Sequence, residues 1–182
     1  EAKTIMKNLI MLLTYLRIIF GPIIFILLVF FNLHLTCLLI FLICSISDFL
    51  DGYLARKYNY ESEIGKMLDP IADKILLCSC IIAIIIVTND AFIGLAGMLL
   101  LLREFWVTAL REHTAMNGIS NASDVTFQAK VKTALQFIAI SSYLISFAFN
   151  SSLGLFLSSF VLFLSLLISI KTGMQYTKNV FK

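Results

Sequence analysis

The sequence contains few charged residues. Only 14% of its 182 residues are Asp, Glu, Lys or Arg, whereas globular domains usually carry roughly 25%. Sixteen phenylalanines and long runs of isoleucine and leucine leave little for a polar surface. These proportions exclude an ordinary soluble domain and indicate an integral membrane protein.

The apolar runs predict an all-α fold with six transmembrane helices, since each span needs about 20 mostly apolar residues. The predicted spans are roughly Leu9–Phe31, Leu33–Arg56, Lys66–Val87, Ala91–Glu112, Phe127–Phe149 and Ser152–Lys171. The links after the first, third and fifth spans are very short, and the other two are longer and polar. Residues 6–182 are expected to form a single transmembrane domain, with residues 1–5 a remnant ahead of a native start near Met6.

Lysine and arginine are missing from the short links. All 14 of them lie at the termini, in the two longer links, or in the span halves next to these. Because cytoplasmic loops of membrane proteins are rich in basic residues, both termini and the longer links are expected on the cytoplasmic side of the inner membrane. The net charge of +3 then reflects orientation. A nucleic-acid partner would need a basic soluble face, which this pattern does not provide.

The sequence also lacks a zinc or disulfide pattern. None of the cysteines at positions 37, 44, 78 and 80 belongs to a C-x-x-C pair, and the two histidines, His34 and His113, are isolated. The cysteines are therefore expected to be small apolar residues packed between helices.

Four aspartates nevertheless occur close together, at neighbouring ends of the second and third spans. Asp48 and Asp51 are three residues apart, and Asp69 and Asp73 are four apart, so each pair shares one helical face. Because the two helices are antiparallel and joined by a short link, the four carboxylates are expected to converge in the cytoplasmic half of the membrane. A charge at the centre of a span costs about 2.5–3.5 kcal/mol, so this cluster needs compensation.

Divalent cations are the expected compensation. Carboxylate clusters with oxygen-only ligands suit Mg²⁺, Mn²⁺ or Ca²⁺, and four carboxylates can bridge two such ions. Gly52 and Gly65 allow a ligand to approach closely, Ala55 is also small, and Arg56 can hold a phosphate with its planar fork. These residue types together predict a site for a metal-bound diphosphate.

Two other interpretations of the aspartates remain open. They can be helix caps or interfacial side chains that reach towards water. They can also belong to a cation or proton pathway, as in a cation-coupled transporter. A pathway predicts charges spread through the depth of the bilayer, whereas every charge except Asp90 lies toward one face in this sequence.

The segment from Asp48 to Asp73 resembles the signature of the CDP-alcohol phosphotransferase family. It reads D-x-x-D-G-x-x-A-R, then eight residues, then G-x-x-x-D-x-x-x-D. The resemblance implies a homodimeric enzyme in membrane lipid that moves the phosphatidyl group of CDP-diacylglycerol to an alcohol and releases CMP. It implies that Asp48, Asp51 and Asp69 bind two divalent cations, Mg²⁺ or Mn²⁺, which Ca²⁺ can replace in a crystal. Asp73 is then both a metal ligand and the catalytic base.

Three further segments narrow the resemblance. "LLREFWVTALRE" (Leu101–Glu112) looks like a segment of the bacterial branch of the family that makes phosphatidylglycerophosphate. "QAKVKTA" is similar to the G-K-x-K-T segment of that branch, with Ala129 where glycine is usual. "LTYLRIIFGP" looks like the amino-terminal L-T-x-x-R-x-x-x-x-P segment, although Ile10 and Met11 stand where a Pro-Asn pair often occurs. The implied acceptor is sn-glycerol 3-phosphate, with serine, inositol phosphate and phosphatidylglycerol as alternatives.

The implied acceptor, sn-glycerol 3-phosphate, is a dianion and needs a cationic pocket of its own. Arg103 and Arg111 are eight residues apart, about 80° around the helix, and Thr108 shares the face of Arg111. Lys130 and Lys132 begin the fifth span and point about 200° apart, so that Lys132 is the one expected to enter the site. These five residues form the predicted acceptor site.

The remaining predictions concern the partner of Arg103 and the residues that bind CDP-diacylglycerol. Arg103 lies too far from the interface to reach water easily, so it is expected to have an anionic partner such as Glu104, Asp73 or substrate. Thr14 and Arg17 face the cytoplasmic end of the first span, near the donor diphosphate. The residues expected to bind CDP-diacylglycerol are Thr14, Arg17, Asp48, Gly52, Ala55, Arg56 and Gly65.

Overall fold

The computed structural model describes residues 2–58, 63–116 and 127–181, and the side chains within residues 11–48, 68–116 and 131–181. In these stretches the chain is helical apart from short links, and it contains no strand. The six helices are α1 (Ala2–Val29), α2 (His34–Tyr58), α3 (Glu63–Thr88), α4 (Ala91–Met116), α5 (Phe127–Ala148) and α6 (Ser152–Val180). The predicted all-α fold with six helices is confirmed.

Five of the helices in the described ranges are long and apolar enough to cross a membrane. Their apolar segments are Met11–Val29, Leu68–Thr88, Ala91–Met116, Val131–Ala148 and Ser152–Val180. In α2 the described apolar segment, His34–Asp48, is shorter. The molecule is therefore a multi-pass membrane protein, and the crossing of the membrane by α2 stays a prediction.

The three short links each contain an asparagine in the left-handed backbone conformation. The φ angle is 53° at Asn32, 48° at Asn89 and 48° at Asn150, and asparagine enters this region more readily than most residues other than glycine. Asp90 then caps α4 by accepting two backbone N–H groups at 2.7 and 3.1 Å. Ser151 caps α6 in the same way, at 3.1 Å. The chain thus reverses tightly after α1, α3 and α5.

The chain divides into two compact units. The first contains residues 1–87 with Phe147–Phe149, and the second contains residues 88–146 and 150–182. The first unit therefore holds α1, α2 and α3. The second holds α4, α6 and most of α5.

In the first unit, α1 packs against α2 through apolar side chains at helical spacing. The buried residues include Ile24 and Leu28 of α1, then Cys37, Phe41 and Cys44 of α2. These two cysteines are free thiols, as is Cys80 in the core of α3. For these three residues the predicted packing role is confirmed.

In the second unit, α4 packs against α6. The buried face of α6 is built largely from small residues, which let two helix backbones approach closely. At Gly173, a Cβ atom would lie 3.2 Å from Arg103 Nε. Thr172 and Gly173 are buried in this contact, and α6 continues beyond them to Val180. The helix therefore extends beyond Lys171, where the predicted membrane span ends.

Candidate active site

In the first unit, Arg17 of α1 is the common partner of three aspartates on α2 and α3. Its side chain is only 1% exposed. Its Nη1 donates to Asp48 and, at 2.5 Å, to Asp73 Oδ1, while Nη2 lies 3.5 Å from Asp69 Oδ1. A guanidinium presents five N–H donors in a planar fork, so one arginine can serve several carboxylates. Asp48, Asp69 and Asp73, called the aspartate cluster below, are thus brought together as their spacing predicted.

Thr14 lies one turn before Arg17 and supports the same cluster. Its buried hydroxyl donates to Asp69 Oδ1 at 2.7 Å. The three aspartate side chains are 39%, 40% and 43% exposed. Since α1 covers one side of the cluster and the carboxylates remain partly open, a ligand can still reach their oxygen atoms.

The donor chemistry of the aspartate cluster fits divalent cations. Three carboxylates share one guanidinium, which leaves an excess of two negative charges among these four side chains. Carboxylate oxygens are the ligands that Mg²⁺ and Mn²⁺ prefer. Within the described side chains, no three acidic, histidine or cysteine residues are placed close enough to hold one ion. Arg17 reaches into the same cluster and contacts each of the three carboxylates.

Several predicted site residues have side chains outside the described part of the chain, and their roles stay predictions. They are Asp51, Gly52, Ala55, Arg56, Gly65 and Lys130.

A second polar cluster lies within the second unit and centres on Glu104 of α4. Lys132 Nζ and, at 3.2 Å, Gln136 Nε2 donate from α5 to Glu104 Oε1. Arg103 Nη1 lies 3.4 Å from the same oxygen. The Lys132 side chain is only 7% exposed. These four residues, the Glu104 cluster, carry two cations and one carboxylate, hence a net charge of +1.

The predicted need of Arg103 for an anionic partner is confirmed, and that partner is Glu104. Most of the guanidinium is engaged by α6: Nε donates to the Ser169 carbonyl oxygen and Nη2 donates to Thr172 Oγ1, both at 2.8 Å. Arg103 therefore fastens α4 to α6, a structural role that the sequence did not reveal.

The other two residues of α4 that were predicted to bind the acceptor substrate differ in how easily a ligand can reach them. The Thr108 hydroxyl donates to the Glu104 carbonyl oxygen at 2.8 Å, within its own helix. Arg111 is exposed, and its Cζ lies 5.7 Å from the ring centroid of Tyr176, at cation–π distance. Of the arginines on α4, Arg111 is thus the more open to a ligand.

Sequence reasoning named Glu104 only as one of three partners for Arg103, and it overlooked Gln136 and the pairing of Glu104 with Lys132. A signal was present, because an acidic residue within an apolar span is seldom left without a partner. Gln136 also lies four residues after Lys132, so both side chains project from one face of α5. The pairing itself could not be read from one sequence, since spacing does not show which helices are neighbours.

The Glu104 cluster leads to a stability prediction. We expect Glu104→Ala to lower the free energy of unfolding by about 3–5 kcal/mol, because it leaves Lys132 buried without its carboxylate partner. Circular dichroism during chemical unfolding of the detergent-solubilised protein measures this change. Glu112→Ala removes an exposed acid from the same helix and should change stability by no more than about 0.5 kcal/mol. Equal losses in the two variants would contradict the prediction.

Comparison with known proteins identifies the class of molecule that carries these clusters. Residues 7–171 match the family model described as CDP-alcohol phosphatidyltransferase. The chain belongs to the CDP-alcohol phosphatidyltransferase family, whose name indicates a transferase. Enzymes of this family generally depend on divalent cations, in keeping with the chemistry of the aspartate cluster.

Individual relatives are similar over nearly the whole chain. A protein of Rickettsia typhi is 40% identical over 95% of this chain and 97% of its own. One of Rickettsia prowazekii is 39% identical over 94% of each chain, and one of Wigglesworthia glossinidia brevipalpis is 35% identical over 85% and 88%. All three are named CDP-diacylglycerol–glycerol-3-phosphate 3-phosphatidyltransferase.

Proposed function

We propose that this protein transfers the phosphatidyl group of CDP-diacylglycerol to sn-glycerol 3-phosphate, giving phosphatidylglycerophosphate and CMP. The observation that carries the proposal is the similarity to the Rickettsia typhi relative, whose name describes this reaction. The similarity extends over 95% of this chain and 97% of the relative. The aspartate cluster supports it, because its open carboxylates suit a metal-dependent reaction of a diphosphate.

The proposed reaction needs a base and stabilisation of the leaving group. A hydroxyl oxygen of the acceptor forms a bond to the phosphorus that carries diacylglycerol, and the bond from that phosphorus to the CMP oxygen breaks. The Asp73 carboxylate accepts the proton that the hydroxyl loses. Two Mg²⁺ or Mn²⁺ ions, when held by Asp48, Asp51, Asp69 and Asp73, would neutralise the diphosphate and the departing CMP.

We assign recognition of the phosphate group of glycerol 3-phosphate to residues of the second unit. The Glu104 cluster carries a net positive charge through Arg103 and Lys132, which supports binding of a dianion. Arg111 adds an exposed guanidinium, whose fork geometry matches phosphate. Lys130 and Thr108 complete the proposed set.

A CMP-release assay with CDP-diacylglycerol and a panel of acceptors tests this proposal. Glycerol 3-phosphate should react far faster than serine, inositol phosphate or phosphatidylglycerol. Equal reaction of serine would reject the proposed acceptor and leave only the family. If no acceptor released CMP from a folded, Mg²⁺-supplied protein, the transferase proposal would fail and the transporter interpretation would gain support.

We also propose that both termini and the two longer links face the cytoplasm, on the basis of the one-sided distribution of lysine and arginine. In a variant without native cysteines, Asn121→Cys should react with a membrane-impermeant thiol reagent only after cells are opened. Leu33→Cys, in the opposite and exposed link, should react in intact cells. Labelling of position 121 from outside intact cells would overturn this orientation. The homodimer implied by the family resemblance stays a prediction.

A further inference from the structure

We infer that Arg17 exchanges partners during the proposed reaction. It pairs with the aspartate cluster when the carboxylates hold no divalent cation, and it passes to the diphosphate of the lipid donor when cations bind there. Arg17 would then couple cation binding to donor binding. The inference rests on the proposed function, since the receiving anion is the diphosphate of CDP-diacylglycerol.

The first step is competition for the same oxygen atoms. Arg17 Nη1 contacts Oδ1 of Asp48 and Oδ1 of Asp73, and Nη2 is directed to Oδ1 of Asp69. A divalent cation bound by these carboxylates would need the same oxygens and would repel the guanidinium at short range. The two occupants therefore exclude each other, and Arg17 weakens the affinity of the cluster for a cation.

The second step follows from the burial of Arg17. Its side chain is 1% exposed, and a buried charge without an anionic partner is strongly unfavourable. Once cations occupy the carboxylates, the displaced guanidinium needs another anion within its reach. A diphosphate supplies one, since its oxygens match the planar fork of arginine. Cation and donor should therefore bind cooperatively through Arg17.

Thr14 provides the contrast within the same helix. Its hydroxyl donates to Asp69 Oδ1 but carries no charge, and it can turn its lone pairs toward a cation. Thr14→Val should therefore change cation affinity much less than a substitution of Arg17. The exchange is a property of the guanidinium charge, not of the hydrogen bonds of α1 in general.

Opposite changes in two affinities are the signature of this exchange. For the purified full chain in detergent, we expect Arg17→Gln to bind Mn²⁺ alone roughly tenfold to hundredfold more tightly, since a competing charge-assisted hydrogen bond is removed. At saturating Mn²⁺, the same variant should bind CDP-diacylglycerol in micelles about tenfold more weakly. Calorimetric titration measures both quantities. If Arg17 merely supported the fold, its substitution would weaken the binding of both Mn²⁺ and CDP-diacylglycerol.

Lys171→Gln is the charge-matched control, because it removes one exposed cation from α6. Its Mn²⁺ affinity should stay within about twofold of the parent, as expected for a screened surface charge. Arg17→Lys retains the charge without the fork and should bind Mn²⁺ with intermediate affinity. If Arg17→Gln does not fold, Arg17→Lys carries the test. Circular dichroism checks the fold of each variant.

The outcomes separate this inference from the proposed function. Mn²⁺ affinity that is unchanged or weaker in Arg17→Gln overturns the exchange and leaves the transferase proposal standing. A parent protein that binds no Mn²⁺, with or without CDP-diacylglycerol, overturns both the metal dependence and the exchange. Tighter Mn²⁺ binding with unchanged donor affinity contradicts the transfer of Arg17 to the diphosphate.

Discussion

Asp48→Asn, Asp51→Asn and Asp69→Asn should each lower the rate of CMP release by at least about a hundredfold, since several kcal/mol of transition-state stabilisation depend on the bound cations. Asparagine keeps the size of each side chain but removes its charge, so the loss reports on the carboxylate charge and not on the volume of the side chain. The rate is measured with CDP-diacylglycerol and glycerol 3-phosphate at saturating Mg²⁺. Chelation of all divalent cations should abolish the activity of the parent protein as well.

Asp90→Asn is the matched control for these variants. Asp90 is exposed at the start of α4, and asparagine caps a helix about as well as aspartate. This variant should therefore keep nearly the parental rate. Full activity in the presence of chelator, or in any of the three cluster variants, would contradict the proposed two-cation site.

Arg111→Ala should raise the apparent KM for glycerol 3-phosphate by about 10- to 150-fold, because a charged hydrogen bond contributes roughly 1.5–3 kcal/mol. The affinity for CDP-diacylglycerol should change little, since the donor is assigned to Thr14, Arg17 and the segment between Asp48 and Asp73. Arg56→Ala should have the reverse effect and weaken the donor. Titration of each substrate against each variant distinguishes these results.

Tyr176→Phe tests whether the effect of Arg111→Ala comes from the charge. The ring that faces the Arg111 guanidinium is retained, while the hydroxyl that lies 3.3 Å from Thr114 Oγ1 is lost. The KM for glycerol 3-phosphate should stay close to the parental value. If Arg111→Ala weakens only the lipid donor, the assignment of the acceptor site to α4 is wrong.

Much of the first unit could be predicted because helical spacing determines which side chains share a face. The four-residue interval between Asp69 and Asp73 predicted that both lie on one face of α3, and the structure brings them together with Asp48 of α2. The three-residue interval from Asp48 to Asp51 stays a prediction, since the Asp51 side chain lies outside the described part of the chain. Arg17 was expected near the donor diphosphate, yet its described partners are the aspartates. Periodicity gives the face and the depth of a residue, but the nearest neighbour depends on how α1 is rotated against α2 and α3.

The second unit shows where this reasoning fails. The segment after Lys171 contains more polar residues than the predicted span, yet α6 continues to Val180, and Thr172 and Gly173 lie against Arg103. The long-range pairing of Glu104 with Lys132 joins helices whose adjacency no local pattern reveals. Such contacts are selected by packing between helices, and a single sequence records only the residues that make them possible.

The tight reversals at Asn32, Asn89 and Asn150 determine where the chain can accept foreign sequence. Each link depends on one left-handed residue, and most other side chains would pay roughly 1–2 kcal/mol in that conformation. A tag or fluorescent reporter inserted there would have to unwind the end of a helix to gain room. The longer polar links after α2 and α4 impose no such demand by their sequence. A reporter fusion that preserves the enzyme therefore belongs in the link after α4, because the link after α2 lies inside the Asp48–Asp73 segment.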